Sequence, residues 1–306
     1  MRPGRTLGAA LADEVLVLDG GLSNQLEEQG CDLSDALWSA RLLADGPERI
    51  EAAHTAYARA GARVLTTASY QATFEGFARR GIGHTEAARL LARGVALARS
   101  AGERVEREIW VAASVGPYGA MLADGSEYRG RYGLSAGALE RFHRPRIEVL
   151  AEAAPDVLAL ETVPDTDEAE ALLRAVEGCG VPVWLSYTVD GTRTRAGQRL
   201  AEAFALAAGR DQVVAVGVNC CAPEDVGPAV EIAAAVTGKP VVVYPNSGEG
   251  WDAVAGNWRG PVTFDPALAG RWRAAGARLI GGCCRVGPAT IASLASVVER
   301  EPHGRE

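Results

Sequence analysis

Three cysteines of this chain stand where short apolar runs give way to small or polar residues. Cys220 ends the sequence Gly-Val-Asn-Cys, and Cys283 and Cys284 follow the run Leu-Ile-Gly-Gly. Such runs are typical of buried strands that end in a loop. Three thiolates at strand ends suit Zn²⁺ with its fourth coordination position left open, as in catalytic zinc sites. A substrate thiol in that position would become a thiolate at neutral pH.

The remaining cysteines have other expected roles. Cys221 follows Cys220 directly, and we expect its side chain to point to the other side. We interpret Cys31 and Cys179 as structural. A single buried cysteine is often no more than a small apolar residue, but a vicinal pair with a further strand-end cysteine on the same rim favours a metal site over that simpler interpretation.

Two carboxylates also end apolar runs. Asp19 and Glu161 would be partly desolvated there unless a cation neutralises them. A substrate ammonium group would do so, because two anions can accept its three N–H donors. A turn-capping role for Asp19 and an arginine partner for Glu161 remain alternatives. We expect Gly20 and Gly21 to form a tight turn whose backbone N–H groups are free to meet a substrate carboxylate.

Other candidate groups are weaker. Glu51 and His54 have the spacing of helix-borne metal ligands, but we expect them on the solvated face of an outer helix. No histidine falls at a predicted strand end, which argues against a histidine-based zinc hydrolase. Five aromatic residues follow the second and third predicted strands and could hold a cationic ligand by cation–π attraction. They are Tyr70, Phe74, Tyr118, Tyr128 and Tyr132.

Composition excludes several classes of partner. The 306 residues carry 31 Lys plus Arg against 39 Asp plus Glu, a net charge of −8, which makes nucleic acid and anionic membranes poor partners. No run of 18 uncharged apolar residues occurs, and Asp13 and Glu14 interrupt the first apolar stretch, so we expect neither a membrane span nor a signal peptide. We therefore expect a cytoplasmic protein, a monomer or small homo-oligomer, that acts on small molecules.

Eight β-rich runs alternate with alanine-rich helical segments, which is the pattern of an α/β protein with a (β/α)₈ TIM barrel. We expect one domain over residues 1–306, since a doubly wound open sheet rarely has eight regular units without a second domain. The predicted strands are 15–19, 64–67, 110–114, 157–161, 183–187, 214–219, 241–244 and 278–281. The predicted helices are 47–60, 85–101, 136–153, 166–177, 201–208, 223–236, 266–275 and 288–299. All the candidate strand-end residues would then meet at the carboxyl end of the barrel.

Five segments resemble the homocysteine S-methyltransferase family, in the family's order and across almost the whole chain. They are Leu-Asp-Gly-Gly-Leu (18–22), Ser-Val-Gly-Pro-Tyr-Gly-Ala (114–120), Gly-Ser-Glu-Tyr-Arg-Gly (125–130), Gly-Val-Asn-Cys (217–220) and Gly-Gly-Cys-Cys-Arg (281–285). The second and third resemble the branch that uses S-methylmethionine and sometimes S-adenosylmethionine. Arg131 stands where the pattern has an acidic or small residue, which puts a loop contact in doubt.

The resemblance implies a zinc-dependent methyl transfer to homocysteine that gives methionine. Cys220, Cys283 and Cys284 match its zinc ligands, and Asp19 and Glu161 match carboxylates that hold the amino acid part of homocysteine. Asn219 matches a residue beside the metal. A betaine or folate donor and a selenol acceptor are alternatives within the family. A different class, a redox or metal-binding protein that uses the vicinal cysteines without catalysis, would need neither carboxylate.

Overall fold

The computed structural model describes residues 3–34, 37–252 and 257–300. In chain order its strands are β1 (Leu16–Val17), β2 (Val64–Thr66), β3 (Trp110–Val115), β4 (Val157–Val163), β5 (Val183–Tyr187), β6 (Val189–Asp190), β7 (Arg193–Thr194), β8 (Val213–Asn219), β9 (Val241–Tyr244), β10 (Gly250–Asp252), β11 (Asn257–Arg259) and β12 (Ala277–Ile280). Eight of these strands pair in parallel in the order β1-β12-β9-β8-β5-β4-β3-β2. A parallel bridge between Leu18 and Val64 joins the two ends of that sheet, so it closes into a barrel.

The helices form the outer layer of this barrel. They are α1 (Leu7–Asp13), α2 (Leu22–Glu28), α3 (Leu42–Asp45), α4 (Pro47–Arg59), α5 (Phe74–Arg79), α6 (His84–Gly102), α7 (Tyr118–Leu122), α8 (Ala136–Glu152), α9 (Thr166–Ala175), α10 (Leu200–Ala205), α11 (Pro223–Thr237), α12 (Leu268–Ala275) and α13 (Pro288–Arg300), with 3₁₀ turns at Trp38–Arg41 and Ser126–Tyr128. All eight predicted strands and all eight predicted helices are confirmed. In the described part of the chain, no helix has the length and apolarity that crossing a bilayer requires.

The sheet separates two apolar clusters, as expected for strands buried on both faces. The larger cluster lies between the strands and the outer helices. The smaller one fills the barrel and includes Trp110, Trp184 and Leu279. Helix α1, which the sequence analysis did not predict, packs Leu7 and Leu11 into this inner cluster. The barrel interior is therefore a packed core, and the chemistry is left to the ends of the strands.

The strand β4 ends differently from its prediction. It continues past Glu161 to Val163, and its register with β5 shifts between Leu160 and Val163. Such a bulge adds a residue to one strand and redirects a side chain. Thr162 sits in this bulge with a φ of 57°, in the left-handed region. The irregularity lies at the position of the candidate carboxylate Glu161.

The expectation that His54 lies on a solvated face is wrong. His54 is fully buried, and burial lowers its pKa to about 4. Glu51 accepts hydrogen bonds from Ser100 Oγ at 2.7 Å and from Arg104 Nε at 2.8 Å, both from the neighbouring helix or its end. Helix α4 packs against helix α6, so a second helix covers the face that the sequence pattern leaves to solvent.

Candidate active site

The three candidate metal ligands converge at the carboxyl end of the barrel. The sulfur atoms of Cys220, Cys283 and Cys284 all lie within 4.8 Å of one another. Cys220 follows β8 and the vicinal pair follows β12, and only β9 lies between these strands. The last residue of β9 and the residue after it bind both segments: the Cys220 N–H donates to the Tyr244 carbonyl oxygen at 3.2 Å, and the Cys283 N–H donates to the Pro245 carbonyl oxygen at 2.7 Å. The predicted cluster is confirmed as a geometric unit.

Without a cation, it is costly to hold the three buried thiols together as thiolates. Hydrogen bonds from the neighbouring sulfur atoms of Cys220 and Cys284, together with burial, raise the pKa of Cys283 well above its usual value. A bound cation would offset this cost by stabilising the thiolates. Cys221 lies in the outer apolar cluster and does not belong to the set, as predicted.

Glu161 is buried at the end of β4 and is held by two hydroxyl groups. Ser114 Oγ donates to one carboxylate oxygen, and Tyr244 Oη donates to the other at 2.9 Å. Burial raises the pKa of Glu161 to about 7, although both hydrogen bonds act in the opposite direction. The predicted arginine alternative is wrong, because the partners of Glu161 in the described structure are hydroxyl groups.

Asp19 occupies the matching position after β1. Its carboxylate accepts the Thr66 N–H at 2.7 Å and the Thr66 hydroxyl at 3.0 Å. Burial, with a smaller contribution from the negative charge of Glu161, raises the pKa of Asp19 to about 8. The two carboxylates are therefore close enough to interact electrostatically. Their shared burial without a cation leaves a place suited to an ammonium group.

Gly20 and Gly21 allow the backbone after β1 to pack closely against the loop that carries Cys283. A Cβ on Gly21 would lie 2.6 Å from the Cys283 carbonyl oxygen, and a Cβ on Gly20 would collide with the Val286 carbonyl. The Gly21 N–H donates to that same Val286 oxygen at 3.0 Å. The expectation that both N–H groups are free is therefore wrong for Gly21. In the described structure, Gly20 has no positive φ, so these glycines serve packing and not an unusual turn conformation.

Asn219 ends β8 directly before Cys220, and its amide is already engaged. Its Oδ1 accepts the Thr162 N–H at 2.8 Å and the Ser186 hydroxyl at 2.7 Å. Its Nδ2 donates to the Thr162 hydroxyl at 2.7 Å. The structure thus places Asn219 beside the cysteines, where its side chain supports the β4 bulge.

The five candidate aromatic residues separate into two groups. The charge of Cys220 raises the pKa of Tyr128, and burial and the same charge raise the pKa of Tyr70, so both border the cysteine cluster. The other three have partners elsewhere: Phe74 stacks on His84 with ring centroids 4.0 Å apart, and Tyr118 packs against Tyr132 at 5.2 Å. Only Tyr70 and Tyr128 of this set remain candidates for contact with a substrate.

Sequence reasoning gave no role to several residues that hold the site. Thr66, Ser114 and Tyr244 support the two carboxylates, and Tyr57 Oη donates to the Gly21 carbonyl at 3.0 Å. The first three stand at predicted strand ends, which is the signal that could have identified them. Tyr57 lies on an outer helix and carries no such signal.

A second buried polar network fixes the loop after β3. Glu168 accepts the Tyr118 N–H at 2.5 Å, the Tyr132 hydroxyl at 3.1 Å and a hydrogen bond from His143 Nε2 at 2.8 Å. Arg146 donates to His143 Nδ1 at 2.6 Å, which assigns the ring proton to Nε2 because arginine cannot accept. Nearby, the Arg131 N–H donates to Asp165 Oδ2 at 2.8 Å. The unexpected Arg131 is thus accommodated in this loop.

Known proteins share both this sequence and this fold. The family model described as homocysteine S-methyltransferase matches residues 16–298. The homocysteine S-methyltransferase of Escherichia coli K12 is 47% identical over 292 residues, which cover 92% of this chain and 94% of the relative. The chain belongs to the homocysteine S-methyltransferase family. It is therefore a methyltransferase.

Two further comparisons agree with this family membership. The homocysteine S-methyltransferase YbgG of Bacillus subtilis is 42% identical over 299 residues, covering 92% of this chain and 94% of the relative. The metallated form of the homocysteine methyltransferase MmuM from Escherichia coli superposes with a TM-score of 0.83 at 44% identity, over 92% of this chain and 96% of that one. Substrates of this methyltransferase family are small molecules.

Proposed function

We propose that this enzyme transfers a methyl group from S-methylmethionine, or S-adenosylmethionine, to homocysteine and so makes methionine, with Zn²⁺ bound by Cys220, Cys283 and Cys284. One observation carries the proposal: three thiols converge beside two buried carboxylates on one rim of the barrel. A redox or metal-binding protein would need the thiols but would have no use for Asp19 and Glu161.

The cysteine set fits a zinc ion by its chemistry and its spacing. Sulfur ligands about 2.3 Å from a tetrahedral zinc lie about 3.8 Å from one another. The three sulfur atoms lie within 4.8 Å of one another, so small movements of the side chains would bring them to that spacing. With three protein ligands, one coordination position is available for a substrate sulfur. Bound there, zinc would lower the pKa of the homocysteine thiol and hold it as the thiolate.

Asp19 and Glu161 would hold the other end of homocysteine. Both carboxyl groups are buried and their pKa values are raised. The ammonium group of a bound amino acid would stabilise their ionised form and lower these pKa values. Thr66, Ser114 and Tyr244 fix the orientation of the two carboxylates through hydrogen bonds. The protein thereby sets the direction of the substrate side chain toward the cysteines.

The transfer step needs orientation more than proton transfer. The homocysteine sulfur attacks the methyl carbon of the donor, and the bond between that carbon and the donor sulfur breaks. Its electron pair stays on the donor sulfur, which changes from a sulfonium to a neutral thioether. Opposite charges disappear in this step, so a site that excludes water favours it. No side chain has to act as a general base during the displacement.

A donor assay with metal analysis tests the proposal. The purified enzyme should contain about one zinc per chain and should methylate homocysteine with S-methylmethionine, and more slowly or not at all with betaine. Methylation with betaine alone would assign the enzyme to another branch of the family. A metal-free protein that cycles between thiol and disulfide without methyl transfer would support the redox alternative.

A further inference from the structure

Glu127 is a carboxylate near the cysteine cluster that the proposed chemistry has not used. It lies in the 3₁₀ turn Ser126–Tyr128, and its Oε2 is buried with no hydrogen-bond partner in the described structure. Burial raises the pKa of Glu127, and the charges that act on it, those of Cys220 and Asp124, are negative. A carboxylate in this position lacks the cation that burial requires.

The position of Glu127 is fixed by its backbone. A Cβ on Gly119 would lie 2.8 Å from the Glu127 Cα, so helix α7 is pressed against the turn at a glycine. The Ser126 N–H donates to Asp124 Oδ1 at 3.0 Å, and the turn packs against strand β4, which carries Glu161. Glu127 is thus held beside the site and is not a freely moving surface group.

The surroundings of Glu127 are those of the cysteine cluster. Its negative charge acts on Cys284 and on Tyr70, and the charge of Cys220 acts on the next residue, Tyr128. Tyr70 and Tyr128 are the two aromatic candidates that border the cluster. An anion and two aromatic rings together form a suitable environment for a cation without hydrogen-bond donors.

We propose that Glu127 binds the sulfonium end of the methyl donor and so favours donors with a net positive charge over net-neutral ones. This inference rests on the proposed function. Asp19 and Glu161 suffice for the single ammonium group of homocysteine, which leaves Glu127 for the second substrate. S-methylmethionine carries two positive charges and one negative charge, whereas betaine is neutral overall.

The charge change during transfer predicts a particular kinetic effect. The donor sulfonium is fully charged when it binds and becomes neutral as the methyl group leaves. A carboxylate beside it stabilises the bound donor at least as much as the transition state, so its removal raises KM and leaves kcat nearly unchanged. A residue that only supported the fold would instead lower kcat and change the homocysteine KM as well.

The test compares Glu127→Gln with Asp124→Asn in the zinc-loaded enzyme. Both variants remove one negative charge from the same loop, but Asp124 is exposed and its carboxylate caps Ser126. We expect Glu127→Gln to raise the S-methylmethionine KM about tenfold, with kcat within about twofold and an unchanged homocysteine KM. The asparagine side chain still offers an oxygen that accepts the Ser126 N–H, so Asp124→Asn should leave the turn and the donor KM unchanged. Equal donor KM values for wild type and Glu127→Gln would overturn the proposal.

A binding probe separates this proposal from the proposed function. Trimethylsulfonium ion, measured by calorimetry on zinc-loaded enzyme with homocysteine present, should bind the wild type and bind Glu127→Gln about tenfold more weakly. Glu127→Asp should keep most of that binding because it keeps the charge. If the wild type transferred no methyl group but the probe binding still depended on Glu127, only the proposed donor would be wrong. Equal probe binding by wild type and Glu127→Gln would remove the assigned role of Glu127.

Discussion

Asn219 holds Thr162 with two hydrogen bonds that run in opposite directions. It accepts the Thr162 N–H at 2.8 Å and donates to the Thr162 hydroxyl at 2.7 Å. Thr162 has a φ of 57°, a region that β-branched residues rarely adopt because of steric strain. Cys220, next to Asn219, also has a positive φ of 48°. One amide therefore links two strained positions, one beside the buried carboxylate of Glu161 and one at the proposed metal ligand Cys220.

Replacing Asn219 should disturb both positions. Asn219→Ala leaves the buried Thr162 N–H without its partner and removes one hydrogen bond from the Thr162 hydroxyl, and we expect a loss of about 2 kcal/mol in the free energy of unfolding. The homocysteine KM should also rise, because the bulge that orients Glu161 loses its support. Chemical denaturation and steady-state kinetics measure the two effects. Ser186→Ala removes only one hydrogen bond to Asn219 and should have a clearly smaller effect; equal effects would argue against the role of the Thr162 pair.

Two adjacent cysteines provide a matched test of the metal site. Cys220→Ala removes one of three sulfur ligands, and we expect the variant to lose its zinc and at least a hundredfold in kcat/KM, in line with loss of a metal ligand. Cys221→Ala changes the neighbouring buried cysteine, which faces the outer core. This variant should keep its zinc and its wild-type kcat/KM. Zinc analysis by mass spectrometry and the methylation assay are the measurements. Full zinc content in Cys220→Ala would contradict the proposed ligand set.

The two buried carboxylates should control homocysteine binding. Glu161→Gln and Asp19→Asn each remove one of the two carboxylates that would pair with the substrate ammonium group. We expect the homocysteine KM to rise about tenfold in each variant. The KM for the methyl donor should stay near its wild-type value. Ser114→Ala removes a hydrogen bond to Glu161 but keeps its charge, so its effect should be smaller. A donor KM that rises in parallel would show a general disturbance of the site.

The same carboxylates should make the substrate-free enzyme less stable as the pH rises. Their pKa values in the folded enzyme are about 7 for Glu161 and about 8 for Asp19, against ordinary values of 4.5 and 3.8. At a pH between the ordinary pKa and the raised pKa of each group, the folded state binds more protons than the unfolded state. The free energy of unfolding therefore falls with increasing pH in that range. The stabilisation is complete below about pH 4 and is lost as the pH passes through about 7 and 8.

Thermal unfolding of zinc-loaded enzyme between pH 6 and pH 8.5, a range set by these pKa values, tests this effect. The metal site itself depends on pH, so the informative quantity is the difference between wild type and the double variant Asp19→Asn/Glu161→Gln. Wild type should lose more stability with rising pH than the double variant. Methionine, whose ammonium group neutralises the carboxylates, should reduce that loss. Parallel curves for the two proteins would contradict the assignment.

The alternation of apolar runs and helical segments was enough to predict the barrel. In a barrel of parallel strands the carboxyl ends meet on one rim, so the residues that end each run come together whatever their separation in sequence. That rule alone brought Cys220 together with Cys283 and Cys284, and Asp19 with Glu161. The chemistry of the site could therefore be inferred from residue types and their positions within the repeat.

Other features depended on contacts that the alternation of strands and helices does not predict. The burial of His54, the close approach of Gly21 to Cys283 and the engagement of Asn219 with Thr162 each follow from how neighbouring elements pack. The sequence pattern carries no signal for such contacts, since side-chain direction at a bulge or a helix contact is set by tertiary packing. Sequence alone determined that the cysteines and the two carboxylates meet at the rim, whereas the tertiary structure decided which polar groups there are already engaged and added Glu127, to which the sequence pattern gave no role.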